Sequence, residues 1–124
     1  MWNALDPNCP TRSLLDRIGD KWSVLILVAL ERSPLRFGEL GRAIGGVTPK
    51  VLTAKLRALE QDGLISRQVL DTSPVNVEYK LTELGQSLVS VVFLMKGWAE
   101  KNMPAVLSAR EAFEQRMKKR IGVA

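Results

Sequence analysis

Thr48-Pro49-Lys50-Val51-Leu52-Thr53-Ala54-Lys55-Leu56-Arg57-Ala58-Leu59-Glu60-Gln61-Asp62-Gly63 reads as one helix with both ends marked. The Thr48 hydroxyl can accept from an orphan N–H of the first turn. Pro49 falls at the first helical position, where its missing N–H costs nothing. Gly63 stands where a left-handed C-terminal cap is wanted. Leu52, Leu56 and Leu59 recur at four and three residues and form one apolar stripe. At about 100° per residue, Lys50, Ala54, Arg57 and Gln61 lie opposite that stripe, with Thr53 on its flank. The outer face is therefore small, polar and basic, with no carboxylate before Glu60 at its edge. Such a face fits a DNA major groove, because small side chains allow close approach and Lys or Arg meet phosphates and guanine edges. A solvated surface helix has the same periodicity, so the neighbouring segments decide between the two.

Upstream, Phe37, Leu40 and Ile44 predict a short helix, and Gly45-Gly46 predicts a turn. A short helix, a glycine turn and a basic-faced helix follow the helix-turn-helix order. Downstream the period changes to two. Ile65, Arg67 and Val69 alternate with Ser66 and Gln68, and Val77, Tyr79 and Leu81 with Glu78 and Lys80. These runs flank Asp71-Thr72-Ser73-Pro74 and predict a β-hairpin, with Leu35-Arg36 as a further two-residue strand. The fold expected is mainly α with a small β-hairpin, an α+β winged helix-turn-helix with long C-terminal dimerisation helices.

Toward the N-terminus, a helix is predicted from about Thr11 to Ile18, ended at Gly19. Asp20 caps a second, Lys21 to about Glu31, apolar nearly all round and therefore central, with Trp22 in the core. Thr82 caps a long helix, about Glu83 to Asn102. Leu84, Leu88, Val91, Met95 and Trp98 form an a/d seam on it, read as a homodimer interface. Pro104 is expected to start a last helix ending near Arg120, whose basic end is read as solvated.

With 124 residues, 46% of them hydrophobic and 25% charged, one domain is expected over 1–124. Net charge +5 suits an anionic partner, nucleic acid first. The chain has no His and one Cys, Cys9, so it lacks the commonest general base and any thiolate metal cluster. With no phosphate-binding glycine loop after a strand either, no enzyme, cofactor or metal site is expected. Val24 to Leu30 is an apolar run of seven residues, far short of the ~20 that span a membrane. Without a signal-peptide pattern, the expected location is the cytoplasm.

Cys9-Pro10, Ile18-Gly19-Asp20-Lys21-Trp22-Ser23-Val24-Leu25-Ile26-Leu27, Arg36-Phe37-Gly38-Glu39-Leu40, the run Leu52 to Ile65, and Val77-Glu78-Tyr79-Lys80-Leu81-Thr82-Glu83-Leu84-Gly85 stand in one order. Together they resemble the HxlR-type winged-helix regulators, over about 9–98, leaving 99–124 as a helical extension. The resemblance implies a transcription regulator that binds DNA as a homodimer, with the first and fifth helices at the interface. It also implies redox or electrophile sensing through the cysteine at the position of Cys9, so that an oxidant or small molecule would be the effector. The family's wing commonly carries an arginine where this chain has Asn76. Arg67 and Lys80 on the wing strands are the expected substitutes on the DNA backbone.

The DNA-facing candidates are Pro49, Lys50, Thr53, Ala54 and Arg57 for the groove, with Arg36 and Lys55 for phosphates and Arg67, Asn76 and Lys80 for the wing. The partner expected is double-stranded DNA carrying an inverted-repeat operator. The alternative is a winged helix used only for protein–protein contacts.

Overall fold

The computed structural model describes residues 1–72 and 74–122, apart from the Thr72 side chain. The elements are α1 (Thr11–Gly19), α2 (Lys21–Leu30), β1 (Leu35–Arg36), α3 (Phe37–Ala43), α4 (Pro49–Gln61), β2 (Ile65–Thr72), β3 (Val75–Leu81) and α5 (Glu83–Arg120). The three strands form one antiparallel sheet in the order β1-β3-β2. This is the winged-helix arrangement that the sequence predicts. The chain divides into two compact units, Met1–Val92 and Phe93–Ala124.

The core of the first unit gathers around α2. Asp20 caps that helix by accepting from the Ser23 N–H at 2.9 Å. Ile26, Leu27 and Leu30 are buried there against Leu40 and Ile44, against Leu52, Leu56 and Leu59 of α4, and against Leu64, Ile65, Val89 and Val92. Trp22 and Tyr79 pack half-buried on this cluster. α1 contributes no fully buried residue.

The α5 start is fixed by close contacts. Thr82 Oγ1 accepts from the Gly85 N–H at 3.0 Å and donates to the Gly63 carbonyl at 2.6 Å. Its N–H donates to the Leu64 carbonyl at 3.1 Å. A Cβ on Gly85 would lie 2.0 Å from that carbonyl oxygen, so only glycine lets the helix approach this closely. Gly85, Val89 and Val92 make the core-facing stripe of α5.

Two expectations are corrected. Asp71 and Thr72, expected in the hairpin turn, belong to β2, which runs on to Thr72, and β3 begins at Val75; Ser73 lies outside the described residues. Pro104 does not start a helix but lies inside α5. Proline removes one backbone hydrogen bond and crowds the carbonyl four residues back, here that of Glu100. Glu100 and Pro104 are both exposed, so water can solvate that carbonyl. Asn102 Nδ2 also donates to the Trp98 carbonyl at 2.8 Å, a further bond along this part of the helix.

Candidate nucleic-acid interface

The recognition-helix candidate is capped at both ends as its residues require. Thr48 Oγ1 accepts from the Val51 N–H at 3.2 Å. At the other end Gly63 has φ +75°, its N–H donates to the Glu60 carbonyl, and the Leu64 N–H donates to the Leu59 carbonyl, both at 3.0 Å. That pair of bonds is a Schellman cap. Leu52, Leu56 and Leu59 are fully buried, whereas Pro49, Lys50, Thr53, Ala54 and Arg57 are all exposed. Positions 50, 53, 54 and 57 share one helix face. The Thr53 hydroxyl donates back to the Pro49 carbonyl at 2.8 Å.

Lys55 is placed differently. Its ammonium is 3.0 Å from Asp20 Oδ1 in a half-buried pair, so it holds α4 to the head of α2 and does not join the open face. A second clasp joins the last turn of α1 to the C-cap of α4, with Arg17 Nε 2.6 Å from Asp62 Oδ2. Neither ion pair is visible from spacing, since the partners lie 35 and 45 residues apart.

The wing is set by its register. Arg67 pairs with Tyr79, Ser66 with Lys80, Gln68 with Glu78 and, in the β1 ladder, Arg36 with Glu78. Paired residues share a sheet face and alternate residues repeat it. Arg36 and Lys80 therefore stand on one face, and Arg67 on the other with Tyr79 and buried Ile65. The two wing-strand cations, Arg67 and Lys80, cannot serve together as substitutes on one face. A bulge between Val69 and Asp71 then brings Asp71 opposite Asn76. Asn76 Nδ2 donates to Asp71 Oδ2 at 3.5 Å. Both line an open groove of about 720 Å³ beside Arg36 and Phe37 at the start of α3. Sequence reasoning passed over Asp71, because its face depends on the bulge. Glu39 also has a local role, accepting from the Arg36 N–H at 2.9 Å to start α3.

Cys9 is half-buried ahead of α1. Its thiol lies 3.1 Å from the Thr11 hydroxyl and accepts from the Asn3 N–H at 3.2 Å. The Thr11 hydroxyl, with the Thr11 and Asn3 backbone, holds the Cys9 thiol below its ordinary value, while burial works in the opposite sense. Arg12, three residues after Cys9, donates to the Ala4 and Leu5 carbonyls at 2.9 and 3.0 Å, closing the N-terminal loop.

The seam residues divide between the two units. In the first, Leu84 and Val91 are exposed and Leu88 is half-buried against the core. With Leu14 and Ile18 of α1 they line an apolar groove of about 280 Å³. In the second, Met95 and Trp98 are exposed, Trp98 by 64%.

The helix-turn-helix pair, capped α4 and paired wing find a match in a known family, since residues 17–106 fit the model for HxlR-like helix-turn-helix proteins. The chain belongs to the HxlR-like helix-turn-helix family. It is accordingly a transcriptional regulator of the helix-turn-helix type. It is 43% identical over 109 residues to the HTH-type transcriptional regulator YtfH of Escherichia coli (strain K12), covering 88% of this chain and 86% of that protein. Among solved structures it resembles the transcriptional regulator ytfH from Salmonella typhimurium, with TM-score 0.83, 42% identity and coverage of 90% and 99%. The redox regulator HypR in its reduced form gives TM-score 0.73 at 38% identity, covering 80% of this chain and 98% of that one. The HxlR-like match begins at Arg17, so Cys9 and the N-terminal loop precede it. No helix among the described residues is long and apolar enough to cross a membrane.

Proposed function

We propose that this HxlR-like chain binds an inverted-repeat DNA operator as a homodimer in the cytoplasm, with α4 in the major groove. The observation that carries the reading is the exposed face of Lys50, Thr53, Ala54 and Arg57 on a helix whose opposite stripe is wholly buried. Arg36 and Lys80, on one wing face, contact phosphates. Asn76 lies at the wing tip beside Asp71 and supplies no cation there. Lys55 and Arg67 fall outside this set, the first because it is paired with Asp20, the second because it lies on the other wing face.

The homodimer reading rests on Leu84, Leu88 and Val91 beside Leu14 and Ile18 in the first unit, and on exposed Met95 and Trp98 in the second. An exposed apolar surface of this kind calls for a cover. Two-fold symmetry then sets the half-site centres about 10 bp, or a multiple of that, apart. Cys9 serves as the redox-responsive group; its hydrogen-bonded thiol and the likeness to HypR, whose structure is known in reduced and oxidised forms, support this.

The test is anisotropy or gel-shift binding to duplexes selected by the protein from a randomised pool, at two salt concentrations. The expected result is tight binding with a steep salt dependence. Replacing Lys50, Thr53 and Arg57 together by Ala should abolish selectivity. Binding that is weak, insensitive to salt and unchanged in the triple variant would instead identify a protein–protein module.

A further inference from the structure

We infer that Thr53 and Ala54 read a thymine by its C5-methyl group, so that each half-site carries a thymine recognised by apolar contact next to a base or phosphate held by Arg57. The inference deepens, and rests on, the proposed placement of α4 in the major groove.

Thr53 is an exposed polar residue midway along the open face, on its flank between Lys50 and Arg57, and a free threonine hydroxyl could donate to or accept from any base edge. Here it is not free. Its hydrogen is directed to the Pro49 carbonyl at 2.8 Å, one turn back along the helix. A threonine with Oγ1 turned along its own helix offers an outside partner its methyl group and an already engaged oxygen. Ala54, the next residue and also exposed, adds a second methyl. The carbonyl that holds the hydroxyl belongs to the proline at the first helical position, behind the Thr48 cap, so the anchor is part of a fixed helix start.

The face thus has an apolar centre, Thr53 and Ala54, between two cations one turn to either side, Lys50 and Arg57. In the major groove the base feature that matches an apolar centre is the thymine methyl, which cytosine, adenine and guanine lack. Lys50 and Arg57 supply attraction to phosphate or guanine, and the methyl pair supplies selection for thymine between them.

The experiment uses the full-length protein and a duplex of about 30 bp that it selects from a randomised pool. Each thymine is replaced in turn by deoxyuridine, which removes only the methyl group. For the wild type, at one thymine per half-site, deoxyuridine should weaken binding roughly three- to ten-fold, the scale of one or two buried methyl contacts. Thr53→Val, which keeps the methyl and loses the hydroxyl, should keep that ratio. Thr53→Ser combined with Ala54→Gly should bring it within two-fold of unity, whatever the variant's absolute affinity. Equal binding of thymine and deoxyuridine at every position by the wild type would overturn the inference. So would loss of discrimination in Thr53→Val, which would make the hydroxyl the reader. Failure to select any sequence overturns the operator-binding proposal itself, whereas selective binding indifferent to the thymine methyl overturns only this inference.

Discussion

Lys55 Nζ stands 3.0 Å from Oδ1 of Asp20, while the other oxygen of the same carboxylate accepts from the Ser23 N–H at 2.9 Å. One side chain thus starts α2 and grips the middle of α4. Burial acts to raise the Asp20 pKa, but the Ser23 N–H and the Lys55 ammonium outweigh it, and the net shift is downward. Asp20→Ala removes both the cap and the clasp and should cost about 1–2 kcal/mol by denaturant unfolding. Asp20→Asn, which can still cap, should cost less. The pH dependence follows from the sign of the shift. Stability from a depressed carboxyl is complete above its ordinary value of 3.8 and is lost as pH falls through the lower folded value. The gap between wild type and Asp20→Asn should therefore hold from neutral pH to about pH 5 and close in more acidic solution. A gap that widens on acidification would refute the assignment.

Lys55→Met tests the same pair from the DNA side. A lysine that neutralises a phosphate contributes about one unit to the slope of log affinity against log salt. Lys55 is already paired, so its replacement should leave that slope unchanged while lowering stability by about 1 kcal/mol or less. Lys50→Met should do the opposite, flattening the slope with little effect on stability.

Gly85 has no room for a side chain. A Cβ there would meet the Leu64 carbonyl oxygen at 2.0 Å, and that oxygen already accepts from the Thr82 N–H. Backbone on both sides leaves no flexible group to give way. Gly85→Ala should destabilise by about 2–4 kcal/mol through overpacking. Thermal unfolding of Gly85→Ala beside Gly97→Ala separates this from helix propensity, because a Cβ on Gly97 meets nothing within 4 Å. Equal melting temperatures for the two variants would show that α5 can shift at no cost.

The Cys9 thiol owes its lowered pKa first to the Thr11 hydroxyl. Thr11→Val keeps the side-chain shape and removes that group, so the thiol should titrate closer to its ordinary 9.0. Iodoacetamide alkylation followed against pH should have its midpoint below 9.0 in the wild type and move upward in Thr11→Val, with slower reaction at pH 7. Arg12→Ala should move the midpoint less than Thr11→Val, because that guanidinium is held by the Ala4 and Leu5 carbonyls and acts on the thiol only through the loop that carries the Asn3 N–H. A midpoint that follows Arg12 and ignores Thr11 would return the effect to simple charge.

Val91 is exposed on α5 in the groove it shares with Leu14 and Ile18. If a second copy covers this groove, Val91→Glu desolvates an unpaired carboxylate and should cost several kcal/mol of association. Sedimentation at tens of micromolar should then show a dimeric wild type and a monomeric variant. A wild type that sediments as a monomer would refute the dimer.

The sequence by itself determined what depends on residues within a turn or two of each other. Thr48, Pro49 and Gly63 mark α4 because caps are local hydrogen bonds, and Leu52, Leu56 and Leu59 face inward because the helical period fixes it. The switch to period two after Gly63 located the wing for the same reason. Tertiary structure decided whatever depended on distant partners. The helical period already sets Lys55 beside the buried stripe, away from Lys50, but only the folded chain shows that Asp20, 35 residues earlier, takes its charge. Arg67 and Lys80 look equivalent until strand pairing sets them on opposite faces, and Asp71 reaches Asn76 only through a bulge. Pro104 reads locally as a helix start, but losing one hydrogen bond on an exposed face does not stop a helix continued by its other bonds. Gly85 carries no local signal, because what forbids its side chain is a carbonyl from another element. Hydrogen-bond periodicity is a property of neighbours in the chain. Charge pairing, sheet facing and close backbone approach are properties of neighbours in space, and only the folded chain brings those together.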